Sequence, residues 1–426
     1  MKKLILTSSY LLLCTAILFG AGADKRNQSQ QNDTSSFVEI EGKIVDSKTA
    51  APIVFASAVV TGTSISTVSN NDGEFILKVP KSKSTGSISF THLGYENAVV
   101  AIAELNGGKN HIKLKAVSVL IDEVVIRKID PKNLIIAALD KVKDNYNTNP
   151  EMQTGFYRET VRQNKKYVAV AEAVVDMYRS GYRTSFDSDR MKIYKGRKSQ
   201  DVKKMDTLLV KLQGGPRTSL LLDLVKNPGD LLDPEMLDYY EFKLSGIISI
   251  DNRETYVVSF DQLPGVEMPL YKGNAYIDAE TNAFAGFDFA LSERGIKYAS
   301  EVLVRKKPSD LNVTINNAHY LVRFRKDTES WCLNYVRSEL DMTTKWKRNL
   351  FKSDYALMLE MAVTDRDLQQ IEKFTGKESV KMDDVFTDQV SSFEDPNFWG
   401  DYNTIKPDES IEVAIEKLNT KLKRRN

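Results

Sequence analysis

Between Glu39 and Ile126, short runs of alternating apolar and polar residues are cut every few positions by Gly, Asn, Asp or Pro. That cadence constrains the fold more than any other feature of the chain. Ile40, Gly42 and Ile44 alternate along one strand, and Val59 and Thr61 along another. Asn71-Asp72-Gly73 reads as a hairpin turn, with Gly73 supplying the positive φ. Phe75, Leu77 and Val79 then share one strand face, opposite Glu74, Ile76 and Lys78. Ser87–Phe90, Ala98–Ala103 and His111–Leu114 supply further strands, with Asn106-Gly107-Gly108 as another turn. Short strands of period two between turn residues predict a small β-sandwich.

Gly42-x-Ile44-Val45-Asp46, Pro52-Ile53, Gly62-Thr63, Asp72-Gly73-x-Phe75, Gly94-Tyr95 and Asp122-Glu123-Val124-Val125-Ile126 follow one another in that order. Each is weak alone; together they resemble the carboxypeptidase regulatory-like domain. The resemblance implies a transthyretin-like seven-stranded β-sandwich over residues 37–126. It also implies a non-enzymatic module, despite the name, of a kind that often follows the signal peptide in Gram-negative envelope proteins. Ala50 stands where that family commonly has glycine after Thr49.

The N-terminus fits that setting. Lys2-Lys3 precede an apolar run from Leu4 to Phe19, and Ala21-Gly22-Ala23 offers a small-residue cleavage site. The run is shorter than the ~20 residues a membrane span needs, so residues 1–23 are expected to be a signal peptide. Cys14 follows Leu13, where a lipoprotein signal wants a small residue, so lipidation is not expected. Residues 24–36, rich in Gln, Asn and Ser, read as a disordered spacer. The expected address is across the inner membrane, in the periplasm or at the outer membrane. Past the signal one cysteine remains, Cys332, so neither an intrachain disulfide nor a cysteine zinc site is available there. A formal net charge of +1 over 426 residues argues against nucleic acid as a partner.

Asp130 and Pro131 open something new: a helix cap, a proline at the first helical position, then Ile135, Leu139, Val142 and Tyr146 at helical spacing. Residues 130–426 are expected to form a larger α+β domain on a curved antiparallel sheet with a few helices, which makes the whole chain mainly β. Strands are predicted at Gly155–Gln163, Tyr167–Arg179, Arg190–Gly196, Phe242–Ile250, Glu254–Phe260, Gly273–Asp278, Ala285–Leu291, Tyr298–Lys306, His319–Lys326, Cys332–Met342 and Asp354–Val363. Helices are predicted at Arg217–Val225, from a Thr364/Asp367 cap to Phe374, and at the C-terminus with Ile411, Ile415, Leu418 and Leu422 on one face. Asp383–Asp401, with Phe393, Phe398 and Trp399, reads as an aromatic strap. The pattern is loosely similar to periplasmic lipoprotein carriers, in architecture alone.

The sequence offers no catalytic or metal motif. His92, His111 and His319 are far apart and lack ligand-like spacing, and Cys332 reads as a buried small hydrophobe. Asp187-Ser188-Asp189, Asp230–Glu235 and Asp383-Asp384 read as solvated turns. Gly-x-Ser-x-Gly, His-Glu-x-x-His and P-loop signatures are missing, and no cofactor is implied. Two basic stretches are binding candidates. Lys195, Arg197 and Lys198 can meet an anionic headgroup or sugar phosphate, although a plain hairpin tip explains them more simply. Lys345, Trp346, Lys347 and Arg348 mix cations with aromatics as a membrane-surface patch does, the simpler reading being a connection whose aromatics pack inward.

The expected function is a non-catalytic, secreted envelope binding or scaffold protein, with envelope lipid, glycan or an outer-membrane protein as partner. A carrier of lipid or glycan, or a hydrolase with strand-borne carboxylates, are the alternatives. A transporter barrel does not fit: about 300 residues follow Ile126, too few for about 22 strands with their loops.

Overall fold

A computed structural model describes residues 36–423 except 106–109, 118–128, 185–187, 201–214, 305–306, 329, 349–350 and 393–397. The readings made for residues 1–35, Asn106-Gly107-Gly108, Leu120–Ile126, Asp187 and Phe393 lie outside the described residues. β1 (Phe37–Asp46), β2 (Ser57–Val60), β3 (Ser66–Val68), β4 (Glu74–Pro80), β5 (Ser87–Thr91), β6 (Ala98–Ala101) and β7 (Asn110–Leu114) form two sheets, β4-β1-β7 and β3-β2-β5-β6. β1 pairs antiparallel with β4 and parallel with β7. The alternation works as expected: Ile40, Ile44, Phe75, Leu77 and Val79 from one sheet meet Ala58, Val60, Ile88 and Phe90 from the other in one buried cluster. Phe75 and Phe90 stand edge to face, centroids 5.3 Å apart. Gly73 takes φ +76° in the hairpin, where a Cβ would lie 2.7 Å from the Ile44 carbonyl oxygen.

The turn after β1 is held by Asp46, whose carboxylate accepts from the Lys48 and Thr49 backbone N–H groups at 2.9 and 2.7 Å. Those bonds hold its pKa below the usual carboxylate range. Ala50 closes the turn at φ +57°, a conformation that costs an L-residue about 1–2 kcal/mol. Glycine's extra freedom in the unfolded chain offsets part of the gain. Ala50→Gly is therefore expected to stabilise the protein by about 0.5–1 kcal/mol, seen as a higher urea midpoint at unchanged slope.

Helices α1 (Pro131–Asp140) and α2 (Val142–Asn145) follow, α1 capped by Asp130, which accepts from the Lys132 and Asn133 N–H groups. Next come β8 (Glu151–Gln163), β9 (Lys166–Arg179), β10 (Arg190–Gln200), α3 (Gly215–Leu221), α4 (Gly229–Leu232), β11 (Tyr240–Ile250), β12 (Arg253–Gln262), β13 (Tyr271–Asp278) and β14 (Phe284–Leu291). The last part holds α5 (Ala299–Leu303), β15 (Leu311–Lys326), β16 (Trp331–Trp346), β17 (Ser353–Asp367), α6 (Phe386–Gln389), β18 (Ser391–Ser392) and α7 (Glu409–Lys423). One sheet takes the order β11-β12-β13-β14-β15-β16-β17-β8-β9-β10-β18. It is antiparallel throughout except for the short parallel pairing of β18 on β10. The chain is mainly β, as expected.

Three local expectations fail. Tyr298–Lys306, read as a strand, begins with a helical turn and α5; Ile296 and Ala299, three apart, both reach one core cluster, which is helical spacing. The helix expected from Thr364 to Phe374 is instead the end of β17. Asp367 does accept from the Gln369 and Gln370 N–H groups, but those bonds make a turn, because the same local motif serves a cap or a turn. Asp189, read as solvated, is fully buried. It accepts from Ser180 N at 2.8 Å and from Lys226 Nζ at 2.7 Å, and lies 3.1 Å from Arg179.

The sheet has two dissimilar faces. One carries Tyr157, Phe287, Phe324 and Met361 and is covered by the segments around α1 and α3. There Tyr146, Phe324, Phe287 and Phe284 form a chain of ring contacts, and the Tyr146 hydroxyl donates to the Phe284 carbonyl at 2.6 Å. The opposite face is polar, and half of it carries the sandwich. Ser66 Oγ donates to the Val363 carbonyl at 3.0 Å, Asn334 Nδ2 to Ser57 Oγ at 2.7 Å, and Phe55 stacks on Tyr335. Residues 398–408 run between sandwich and sheet as a strap; only 398–401 of it fall in the stretch expected to form one, Asp383–Asp401, whose described first part carries α6 and β18. Asn403 bonds the backbone of Lys78, Thr67 donates to the Thr404 carbonyl, and Trp399 meets Phe156 edge to face.

Candidate functional site

Cross-strand partners in an antiparallel sheet point to the same side, so the registers trace one transverse row on the polar face. It runs Lys243, Ser259, Asn274, Asp288, Leu321, Arg337, Glu360, Arg158, Glu172, Arg197. Leu321 divides it into two halves with different fates.

The half from Arg337 to Arg197 is a ladder of alternating charge beneath the strap. Arg158 donates to Glu172 Oε1 at 2.8 Å, to Glu360 Oε1 at 2.9 Å and to the Ile405 carbonyl at 2.7 Å. Glu360 Oε2 also accepts from the Tyr335 hydroxyl and Arg337, and Arg337 pairs outward with Glu339. Glu172 Oε2 takes Arg197 at 3.1 Å, and the Arg197 guanidinium lies over the Trp399 ring. Every charge in this half has an opposite partner, which is the condition for burying such groups.

Of the basic candidates on β10, Lys195 and Arg197 meet the strap and Lys198 meets α6. Lys195, Arg197 and Lys198 are not at a hairpin tip but within β10, which continues to Gln200. Lys195 Nζ donates to the Phe398 carbonyl at 2.6 Å, and Lys198 Nζ to the Thr387 carbonyl. Gly196 lets this segment approach: a Cβ there would lie 2.4 Å from Val390 Cγ1. The sequence could have signalled this only through the matching acids on β9 and β17, which become neighbours once the strand order is known.

The other half of the row is open. Lys272, Asn274, Asp288 and His319 line a wide-mouthed hollow of about 420 Å³, with Ala290 between Lys272 and His319. His319 is the ninth of the sixteen residues of β15 rather than the start of a strand, and its Nε2 is 2.7 Å from Asp288 Oδ1. The Asp288 hydrogen bond holds the imidazole above its ordinary pKa, against partial burial. Burial pushes Asp288 up, but His319 and the Arg323 charge outweigh it and hold the carboxyl below its usual range. A carboxylate held down is the opposite of what a general acid requires. No Ser, Thr or Cys is among the described residues lining the hollow. What the arrangement offers is a set of mixed donors and acceptors spaced across neighbouring strands.

The second histidine, His92, is half-buried where the sandwich meets the sheet. Burial and the nearby Arg323 charge lower it to about 4, so it is a neutral packing group. Cys332 is a buried free thiol, as expected. Among the described residues no group of His, Cys, Asp and Glu is arranged to hold a metal. No helix of the described residues is long and apolar enough to cross a membrane.

The other basic candidate lies at the tip between β16 and β17. Lys345, Lys347 and Arg348 are exposed, Trp346 is half-buried opposite Leu311, and Phe351 is 86% exposed. The simpler expectation, that the aromatics of this connection pack inward, fails for Phe351.

Residues 40–126 match the family model described as the CarboxypepD_reg-like domain. That match covers the sandwich and carries the resemblance read from its motifs. No curated protein matches the sequence. Among solved structures, the chain is similar to a DUF1329 family protein from Desulfovibrio piger, at 11% identity over 57% of this chain and 94% of that one, TM-score 0.21. It is also similar to a LolA superfamily protein from Nitrosomonas europaea, at 9% identity over 59% and 98%, TM-score 0.18. At such scores neither likeness bears on ligand or activity.

Proposed function

Taking residues 40–126 as a regulatory-like module, we propose that the protein is a non-catalytic, secreted binding protein of the cell envelope, associated with the outer membrane. In this reading residues 1–23 are a signal peptide and 24–36 a spacer. Residues 37–126 are an adaptor sandwich, and 130–426 the β-rich body it is mounted on. The body recognises a polar ligand, an envelope glycan, on the open half of its polar face. One observation carries the reading: Asn274 and Asp288 from this row, with Lys272 and His319 from the next, stand around an unfilled hollow in which Lys272 also pairs with Glu293 and His319 with Asp288, while the row from Arg337 to Arg197 is closed by the strap and its own ion pairs. Hydroxyl-rich ligands suit such alternating donors and acceptors. A carrier with its cargo between sheet and helices is less well supported, because the described part of that space holds Phe284, Phe287, Phe324 and Tyr146 in mutual contact.

The test is mass spectrometry of small molecules extracted from protein purified out of its native envelope, compared with Asn274→Leu/His319→Leu. Glycan is expected with the native protein and at least about tenfold less with the double variant, for the loss of two hydrogen-bonding groups. Equal recovery from both would move the site elsewhere, and recovery of lipid alone would favour the carrier.

A further inference from the structure

We propose that the tip between β16 and β17 is a membrane-docking element that seats on a bilayer surface rich in anionic lipid. Between positions 345 and 353 the sequence is Lys-Trp-Lys-Arg-Asn-Leu-Phe-Lys-Ser, with four cations and no acid. Lys345, Lys347, Arg348 and Lys352 are all exposed, as is Phe351. Nothing in the described fold makes use of an aromatic ring left 86% in water, and isolated exposure of so large a ring beside cations is the pattern of interfacial insertion.

The apolar surface extends beyond this one ring. α5 packs at the same end of the sheet: Ala299 joins Ile315, Met342 and Tyr355 in one cluster, and Ser300 Oγ accepts from Ile315 N at 3.2 Å. From α5, Val302 and Leu303 stand 60% and 37% exposed. The two connections are tied together where Lys347 N donates to the Asp310 carbonyl at 2.9 Å. The nearby acids are Glu301, exposed on α5, Asp310, exposed in the neighbouring connection, and Asp354, which accepts from Thr343 Oγ1 at 2.8 Å. Cations remain in excess at the tip.

Position in the fold suits docking as well. The sandwich holds β17 at Val363, through Ser66, and the tip precedes Ser353 at the strand's other end. Ten strand residues separate them by about 33 Å. A bilayer touching the tip therefore leaves the sandwich in water; the hollow lies between them, His319 being in register through Glu339 with Met358, five residues or about 17 Å from Ser353. The choice of lipid over an acidic protein rests on the exposed phenylalanine and valine, which a polyanionic surface alone would not call for. Each cation near an anionic surface multiplies affinity about fivefold.

The chain carries its own reporter. Trp331 and Trp399 are buried, at 2% and 9% exposure, and Trp346 is the half-buried one of the three. The protein should sediment with vesicles of phosphatidylcholine mixed with phosphatidylglycerol, and bind at least about tenfold more weakly to phosphatidylcholine alone. Its tryptophan emission should shift to the blue on binding, and Trp346→Phe should abolish that shift. Phe351→Ser and Lys347→Glu/Arg348→Glu alter only exposed side chains, and each should lower binding about tenfold or more with the unfolding midpoint unchanged. Native protein left in the supernatant would overturn the proposal. So would sedimentation of both variants at native levels, or loss in the charge variant alone, which would mean adsorption without insertion. Capture of an acidic protein by a tip that ignores vesicles would assign the surface to that partner instead.

Discussion

Arg158→Met is expected to destabilise the folded protein by about 3–5 kcal/mol, the largest effect of any single substitution considered for this chain. The loss comes less from the contacts of the arginine than from what it leaves behind. Glu172 and Glu360 lie within about one strand spacing of Arg158 on either side, both almost fully buried. Without the guanidinium, two carboxylates would face a non-polar methionine, Glu172 keeping Arg197 and Glu360 keeping Arg337 and the Tyr335 hydroxyl. The Ile405 carbonyl would also lose its donor, loosening the strap. The check is urea unfolding followed at Trp399, which packs on Phe156 and Arg197. The triple replacement Arg158→Met/Glu172→Leu/Glu360→Leu should recover much of the loss, since well-packed apolar groups can replace a buried charge network at little net cost. A triple variant no more stable than the single one would show that the ladder itself, rather than its imbalance, holds the sheet together.

The second large effect concerns pH. Glu159, on the opposite face of β8 from Arg158, is buried between Leu359 and Ala171 in register. Burial raises its carboxyl to about 7 from an ordinary 4.5, and the Tyr157 hydroxyl, 2.7 Å away, lowers it only in part. The folded protein therefore holds a proton that the unfolded chain releases. Between about pH 4.5 and about pH 7 the folded state binds more protons, so this group's contribution to stability falls as pH rises through that window. It levels off above the window, about 3 kcal/mol lower. Glu159→Gln removes the titration. The variant should match the native protein near the acid end and exceed it by up to about 3 kcal/mol at about pH 8. Stability measured from denaturant curves across that range would decide it, and a native-minus-variant difference that stays flat with pH would refute the assignment.

How legible the molecule is in its sequence depends on which faces are covered. The sandwich has one wet side, so Phe75, Leu77 and Val79 announce their core directly, and glycine at 73 and the Asp46 turn punctuate it. In β8 both sides are buried, and nothing in the run Phe156, Arg158, Thr160 marks that side as one that will be covered. What turns Arg158 into a core residue is a lid made by residues 398–408, contributed from the far end of the chain. The same holds for Lys195, Arg197 and Lys198, whose partners lie in the strap, on β9 and in α6. Alternation separates two faces; it does not say what will later cover either. The hollow beside His319 was no more visible, because it depends on Ala290 standing between two long side chains from different strands. Phe351 was readable as an aromatic among cations, but only the fold shows that it points outward.

The strand order has a kinetic consequence. β8 is the first strand of the large sheet to leave the ribosome, and its neighbour on one side, β17, is the last of the long ones. Arg158 and Glu360 are 202 positions apart. Until β17 exists, one edge of the β8-β9-β10 meander carries a row of unsatisfied amides and a buried-to-be arginine in water. Contacts this distant in sequence fold slowly, and an open edge invites pairing with another chain. The body of this protein should thus stay open through nearly all of its synthesis and close in one late event. A chain that has to remain loosely folded until it has crossed a membrane would be well served by an architecture whose keystone comes last.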